Sequence, residues 1–426
     1  MRLITESFTQ RRQGGSSAAL ALFPDTNVST KDEWAHAREA HEHGDYAAEA
    51  RCYKEMAERG DARAQNNLGV MYDTRRGVPK DFAEAMKWFR RAAELGSAAA
   101  QANLATMYYN GHGVPANLGE AAKWYRKAAE NGIAYAQYQL GIMYESGQGT
   151  PLNFAEAMKW YRKAAEQGES YAQYNVACMY SLGQIVAQDD GEAVKWYQKA
   201  AVQGNPHAQN NLAVMYEQGR GVAQDSREAM KWYRKAAEQG IAAAQFGLAL
   251  MYDTSDASDQ DYAMAVKWYL RAAQQSNPEA QNNLGRLYED GRGTPRDYAE
   301  AVKWFAESAS QGTPAAQFNL GRMYETGRGV ARDFGEAAAC YQRAADRGDP
   351  AAQFNLAALY YNGRGVPHDY VEAHKWLTLA AGQFPPSNPE GRRRVERSLR
   401  AVRTKMSRAQ IWEAERLARQ WIVRTS

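Results

Sequence analysis

The sequence predicts an all-α protein, a right-handed α-solenoid of stacked helix-turn-helix units with capping helices at both ends. Three observations predict it. Tryptophan recurs at 88, 124, 160, 196, 232, 268, 304 and 376, always 36 residues apart or a multiple of it, with Cys340 in the one gap. The octapeptide KWYRKAAE begins at Lys123, Lys159 and Lys231, with near-copies at Lys87, Lys195, Lys267, Lys303 and Lys375. Apolar residues inside each period then fall at helical spacing. A fixed period of about 20 to 50 residues marks units too small to bury their apolar faces alone, so they stack.

Composition agrees with a folded, soluble array. Hydrophobic residues make up 45% and charged residues 24% of the 426, which excludes a disordered chain. No apolar run approaches the roughly 18 residues of a membrane span. Residues 1–31 read as a flexible leader. Their apolar core, AALALF, falls short of the roughly 7 to 15 residues of a signal-peptide core, and Arg11 and Arg12 fit a twin-arginine signal poorly. Cys52, Cys178 and Cys340 sit in different repeats, too far apart for the Cα separation under about 7 Å that a disulfide needs. Free thiols fit a reducing compartment, and a cytoplasmic location is expected.

The first half of each period predicts one helix. Ala64, Leu68, Met71 and Tyr72 form a core stripe at i, i+4, i+7 and i+8. Gln recurs at 65 and Tyr at 72 in every copy, and position 69 is always Gly or Ala, which implies that a neighbouring helix crosses closely there. Gly-x-Gly turns follow, as in NGHGVP at Asn110. They lack the preceding strand, third glycine or Lys-Ser/Thr pair of a phosphate-binding loop, and so read as helix-ending turns.

The second half predicts the partner helix. Asp or Asn opens every copy, at 81, 117, 153, 189, 225, 261, 297, 333 and 369, with Glu three residues later except at Met264. That is a capping-box arrangement, each cap contributing about 1 kcal/mol. Ala85, Trp88, Phe89 and Ala92 then pack inward, and Gly96 ends the helix as a left-handed residue.

This pattern, A-x-A-Q-x-N-L-G-x-M-Y followed by G-x-G-V, D-x-x-E-A-x-K-W-Y-x-K-A-A and G, resembles the Sel1-like repeat, a relative of the tetratricopeptide repeat, in nine copies over 61–384. Two copies depart from it at the turn, with SLGQIVAQDD and DTSDASDQD. Residues 32–60 resemble a tetratricopeptide-like helix pair acting as the N-terminal cap. Residues 385–426 break the period and form basic C-terminal capping helices, with Val395, Leu399, Val402 and Met406 on one face and Ile411, Leu417, Ala418, Trp421 and Ile422 on a helix opened by Ser407 and Gln410. They hold 11 Lys/Arg against 4 Asp/Glu, a net +7.

If recurring positions build the scaffold, the variable ones on the first helix carry recognition. Positions 63, 66, 70 and 73 share a face directed at the concave groove. Position 66 is aromatic at Tyr138, Tyr174, Phe246, Phe318 and Phe354, and position 63 adds Tyr135 and Tyr171. Tyrosine is enriched in interface hot spots; equally, these rings could pack against neighbouring helices. Beside them runs an asparagine row at 67, 103, Asn175, Asn211, Asn283, Asn319 and Asn355. The resemblance implies that these amides bind the backbone of an extended peptide; the alternative is that they tie one repeat to the next.

Other chemistries have thinner support. A thiol enzyme would need Cys178 with His207 as base, without a third member or an oxyanion-hole motif. His36, His41 and His43 could hold a metal only if a helix ended between them. The expectation is therefore a monomeric, non-enzymatic adaptor without cofactor or metal, binding protein or extended peptide in its groove. The alternative is that the basic C-terminal tail binds nucleic acid or an anionic membrane.

Overall fold

The computed structural model describes residues 31–425 apart from 184, 255, 256 and 385–387, so the expected leader lies outside the described residues except for Lys31. Those residues form 22 helices and no strand. They divide into two compact units, one reaching to Ala208 together with Arg220–Val222, the other Gln209–Gly219 together with Ala223 onward. Each unit is a stack of α-helix pairs. Lys31–Glu42 and Tyr46–Glu58 come first; repeats then run from the pair Ala62–Thr74 and Phe82–Glu94 to the pair Pro350–Asn362 and Tyr370–Gln383; Pro389–Arg403 and Arg408–Thr425 follow.

Within a repeat the helices meet at the small residue. A Cβ added to Gly69 would lie 2.7 Å from the Phe89 ring, and one on Gly141 would lie 2.6 Å from Tyr161, so the ring of the second helix fills the space that the glycine leaves. Ala64, Leu68 and Met71 are buried as expected, but Tyr72 is only half-buried. Its equivalents Tyr108 and Tyr144 accept at the hydroxyl from an arginine of the preceding second helix, Arg90 at 2.7 Å and Arg126 at 2.5 Å.

The second helices start as the spacing demands, with one correction. Asp81, Asn117 and their equivalents accept from the N–H three residues on. Their glutamates do not close capping boxes. The Asp81 N–H already donates to the Tyr72 carbonyl at 3.1 Å and the Asn117 N–H to that of Tyr108 at 2.8 Å, so Glu84 and Glu120 turn outward to Lys87 and Lys123. Asp261 is not a cap. The helix begins earlier, at Asp259, Ser258 is its N-cap, and Asp261 closes a reciprocal capping box with Ser258. The preceding helix stops at Tyr252, two residues short of its counterparts, because the segment after it lacks the Gly-x-Gly turn.

Two recurring contacts join the repeats, and a third ties most helix pairs internally. The turn residue between the glycines covers the residue 30 positions earlier: Arg76 over Tyr46 at 4.1 Å, His112 against Phe82 at 4.5 Å, Arg328 over Tyr298 at 5.7 Å. Where Asp190 replaces the ring, Arg220 pairs with it at 2.8 Å instead. The second glycine is required there: Gly113 has φ 77°, and a Cβ on it would sit 2.7 Å from the Phe82 carbonyl oxygen. Deeper in, the recurring glutamine is buried and donates to a carbonyl of the preceding helix, as Gln137 does to Ala129 at 3.0 Å. Within the repeat, the oxygen of most copies accepts from the residue 30 positions on, as that of Gln137 does from Gln167 at 2.7 Å. A buried amide is stable only with its partners in place, so this column fixes the stacking register.

At the C-terminal end Val395, Val402, Ala414 and Ala418 are buried and Leu399, Met406 and Trp421 half-buried, whereas Ile422 is 51% exposed rather than inward.

Candidate functional site on the first-helix face

The variable positions of the first helices form an aromatic and polar face. In the first unit, Tyr138 rests on Tyr161 of its own second helix (ring centres 5.9 Å apart) and carries Tyr171 of the next repeat at 6.2 Å. Tyr174 repeats this, with Tyr197 at 6.0 Å and His207 at 5.8 Å. Tyr135 leans on Tyr125 at 6.3 Å. The rings therefore form steps, a buried one, a half-buried one and an outer one. Tyr171 is 48% exposed at the top of its step.

The second unit holds Asn211, Phe246, Asn283, Phe318, Asn319, Phe354 and Asn355. Phe246 and Phe318 pack on Tyr269 and Tyr341 at 5.9 and 5.8 Å. Phe354 lies beneath Arg394 of the C-terminal helices, whose guanidinium is 5.2 Å from its centre.

The asparagines are bonded according to what precedes them. Asn283 donates to the Tyr269 hydroxyl at 3.1 Å, and Asn355 hydrogen-bonds Tyr341. Where the preceding ring is Phe89 or Phe305 and has no hydroxyl, the amide turns to the earlier repeat's asparagine: Asn103 to Asn66 and Asn319 to Asn282, both at 2.9 Å. Asn175 is buried, and its Nδ2 has no hydrogen-bond partner.

Sequence reasoning missed the acidic row at position 73. Glu145, Glu217 and Glu325 accept from Tyr161, Tyr233 and Tyr341 at 2.6, 2.7 and 2.6 Å. Burial, and then the adjacent carboxylate, pushes the Tyr233 and Tyr341 hydroxyls far above the ordinary tyrosine range, so they serve as neutral donors. Asp253 and Glu289 are buried and held by Arg286 and Arg322, the latter at 2.5 Å. For Asp253 and Glu289, acid at 73 followed by Arg 33 residues later was the available signal.

The remaining candidates are held within the protein. Cys178 Sγ accepts from the Tyr197 hydroxyl at 3.3 Å. His41 pairs with Glu49 at 2.9 Å, and His43 donates to the Glu39 carbonyl at 2.8 Å. Among the described residues no group of three or more His, Cys, Asp or Glu is placed to hold a metal, and no helix is long and apolar enough to cross a membrane. Several arginines of the basic tail are engaged too: Arg392 donates to the Phe384 carbonyl and Arg416 pairs with Glu413.

The Sel1 repeat family model matches nine consecutive segments, 62–97, 98–133, 134–169, 170–205, 206–241, 242–277, 278–313, 314–349 and 350–383. The crystal structure of c5321, a protective antigen present in uropathogenic Escherichia coli strains displaying an SLR fold, is similar with a TM-score of 0.82 and 38% identity, covering 92% of this chain and 83% of that one. A Sel1 repeat protein from Oxalobacter formigenes is 29% identical over 66% of this chain and 97% of its own, with a TM-score of 0.47. No curated protein matches. Sel1-repeat proteins are generally protein-interaction scaffolds, and their fold is typically non-enzymatic. With its helix pairs and nine unbroken matches, this chain belongs to the Sel1 repeat family.

Proposed function

We propose that the chain is a non-enzymatic scaffold that holds a protein or an extended peptide segment against its first-helix face, the face that lines the groove in stacks of this kind. The observation that carries the reading is Tyr171, 48% exposed yet braced from beneath by Tyr138. An exposed ring already fixed in place loses little entropy on binding and offers both apolar area and a hydroxyl. Asn103, Asn283 and Asn319 spend their donors on neighbouring repeats, so in this reading such amides stiffen the face and the outer rings meet the partner.

The test is a binding isotherm of the full chain and Tyr171→Ala against a partner isolated on the wild type. An exposed hot spot predicts affinity about 30-fold weaker, about 2 kcal/mol, with an unchanged melt. Wild-type affinity in both Tyr171→Ala and Tyr135→Ala would move the partner to another surface.

A further inference from the structure

At position 86 and its equivalents the second helix carries an apolar residue in every repeat but one: Met86, Ala122, Met158, Val194, Met230, Val266, Val302 and Ala338. In the last repeat the place is taken by His374, which is 0% exposed. Its Nε2 accepts from Arg403 Nε of the helix Pro389–Arg403 at 3.0 Å, and Arg403 reaches on to Glu415 of the final helix at 2.9 Å. Its Nδ1 lies 3.3 Å from the Thr378 hydroxyl. One imidazole thus ties the last repeat to both C-terminal helices.

We propose that His374 is a proton-sensitive latch, keeping the C-terminal helix pair docked on the last repeat while its ring is neutral and releasing it in acid. The chemistry follows from the donor. Arg403 is a permanent cation and can only donate, so Nε2 must present its lone pair. A proton on that nitrogen removes the bond and sets a buried imidazolium against a permanent cation.

The charged groups around the ring are few. Its own helix contributes Glu372 and Lys375, paired at 2.6 Å, and the C-terminal helices contribute Arg403 and Glu415. The first helix of the repeat, Pro350–Asn362, carries no ionisable side chain besides Tyr360 and Tyr361. Burial, then Arg403, pulls the imidazole below its ordinary value, with Glu415 opposing.

The sign is fixed. The detached state, with a solvated ring, takes the proton first, so docking is complete above about pH 6.5 and weakens about tenfold per pH unit below it until the docked ring also titrates. Release would uncover Leu377, Leu379 and Trp376, which are buried in the same cluster as Val395 and Val402.

Hydrogen exchange on the full chain at pH 7.5 and 5.0, corrected for intrinsic rates, tests this. Protection of 389–403 and 408–422 should fall at least tenfold in acid relative to the helix Phe334–Ala345, and His374→Gln, which accepts without titrating, should abolish the fall. A constant ratio in the wild type, or the same fall in folded His374→Gln, overturns the latch. Should that variant lose its helical circular dichroism, the wild type still decides by 13C-histidine NMR. One of the seven histidines must titrate below the solvated range, and seven ordinary titrations overturn the proposal.

Discussion

Leu95 stands where it leaves the Oε1 of Gln65 buried without a donor. In the following repeats the residue 30 positions after the buried glutamine is Asn131, Gln167 or Gln203, and each donates to it, at 3.0, 2.7 and 2.8 Å. Gln65 still donates to the Ala57 carbonyl, but its oxygen has no partner, and Leu95 is 59% exposed. Leu95→Gln should therefore stabilise by about 1 kcal/mol, the net worth of a buried hydrogen bond. Urea denaturation reads it, and a midpoint that stays or falls would show that water already serves this oxygen.

Among the described residues, two that bear side chains occupy left-handed backbone where other repeats place glycine. Arg75 has φ 58° at the end of the first helix, and Ser276 has φ 63° after the second. Each conformation costs a residue with a Cβ about 1 kcal/mol. Arg75→Gly and Ser276→Gly should raise stability by about 0.5 to 1 kcal/mol each, and Gly111→Ala, at φ 75°, should lower it by about 1 kcal/mol. Melting temperatures of the three variants decide.

The pair Asp190 and Arg220 does with charge what Tyr298 and Arg328 do with a ring. Asp190→Tyr should accordingly stay within about 0.5 kcal/mol of wild type. Asp190→Lys, opposing Arg220, should lose about 1 kcal/mol at low salt and less in 1 M salt, because both partners are partly exposed. Thermal melts at two ionic strengths separate the cases.

Removal of residues 278–313 should leave a folded, shorter chain. The deletion brings Asn319 into the register of Asn283, opposite the Tyr269 hydroxyl, and Arg328 into that of Arg292, over Tyr262. Helical circular dichroism per residue should be unchanged. A product without a cooperative melt would show that the repeats depend on more than their neighbours.

Tyrosines separate by depth. Tyr144, 9% exposed, should lose about 3 kcal/mol on truncation to alanine, whereas Tyr171→Ala should lose under about 0.5 kcal/mol. Tyr138 is half-buried between Tyr161 and Tyr171 and should fall between them, at about 1 to 2 kcal/mol. Denaturation of the three variants orders them.

The helices were legible because a 36-residue period imposes the same choice nine times, so Trp88, Asp81 and Gly96 each identify their place by recurrence. Depth within the face was not legible. Helical spacing assigns Tyr138 to an outer face, but its partner Tyr161 comes from the second helix, and only the angle at which the helices pack decides how far that ring reaches. The glutamate three residues after each cap misled for a similar reason: the backbone N–H it was to accept from is consumed by the preceding helix, a competition that a local motif does not contain. The bonding of Asn103, Asn283 and Asn319 was readable in principle, since it follows the Phe or Tyr 14 residues earlier, but only when two periods are compared; Asn175, behind Tyr161, departs from that rule.

The bonds that join repeats, Gln137 to the Ala129 carbonyl, Arg220 to Asp190 and Asn103 to Asn66, reach across short fixed intervals and pass from one helix pair to the next. Mechanically they are springs in series. A chain pulled by its two ends would carry the same tension through every joint, and its weakest joint would set the force at which it first yields. The unserved buried oxygens of Gln65, Gln317 and Gln353 and the left-handed backbone of Arg75 and Ser276 spread the weak points over several repeats, so stretching should release the array at several places, in 36-residue steps.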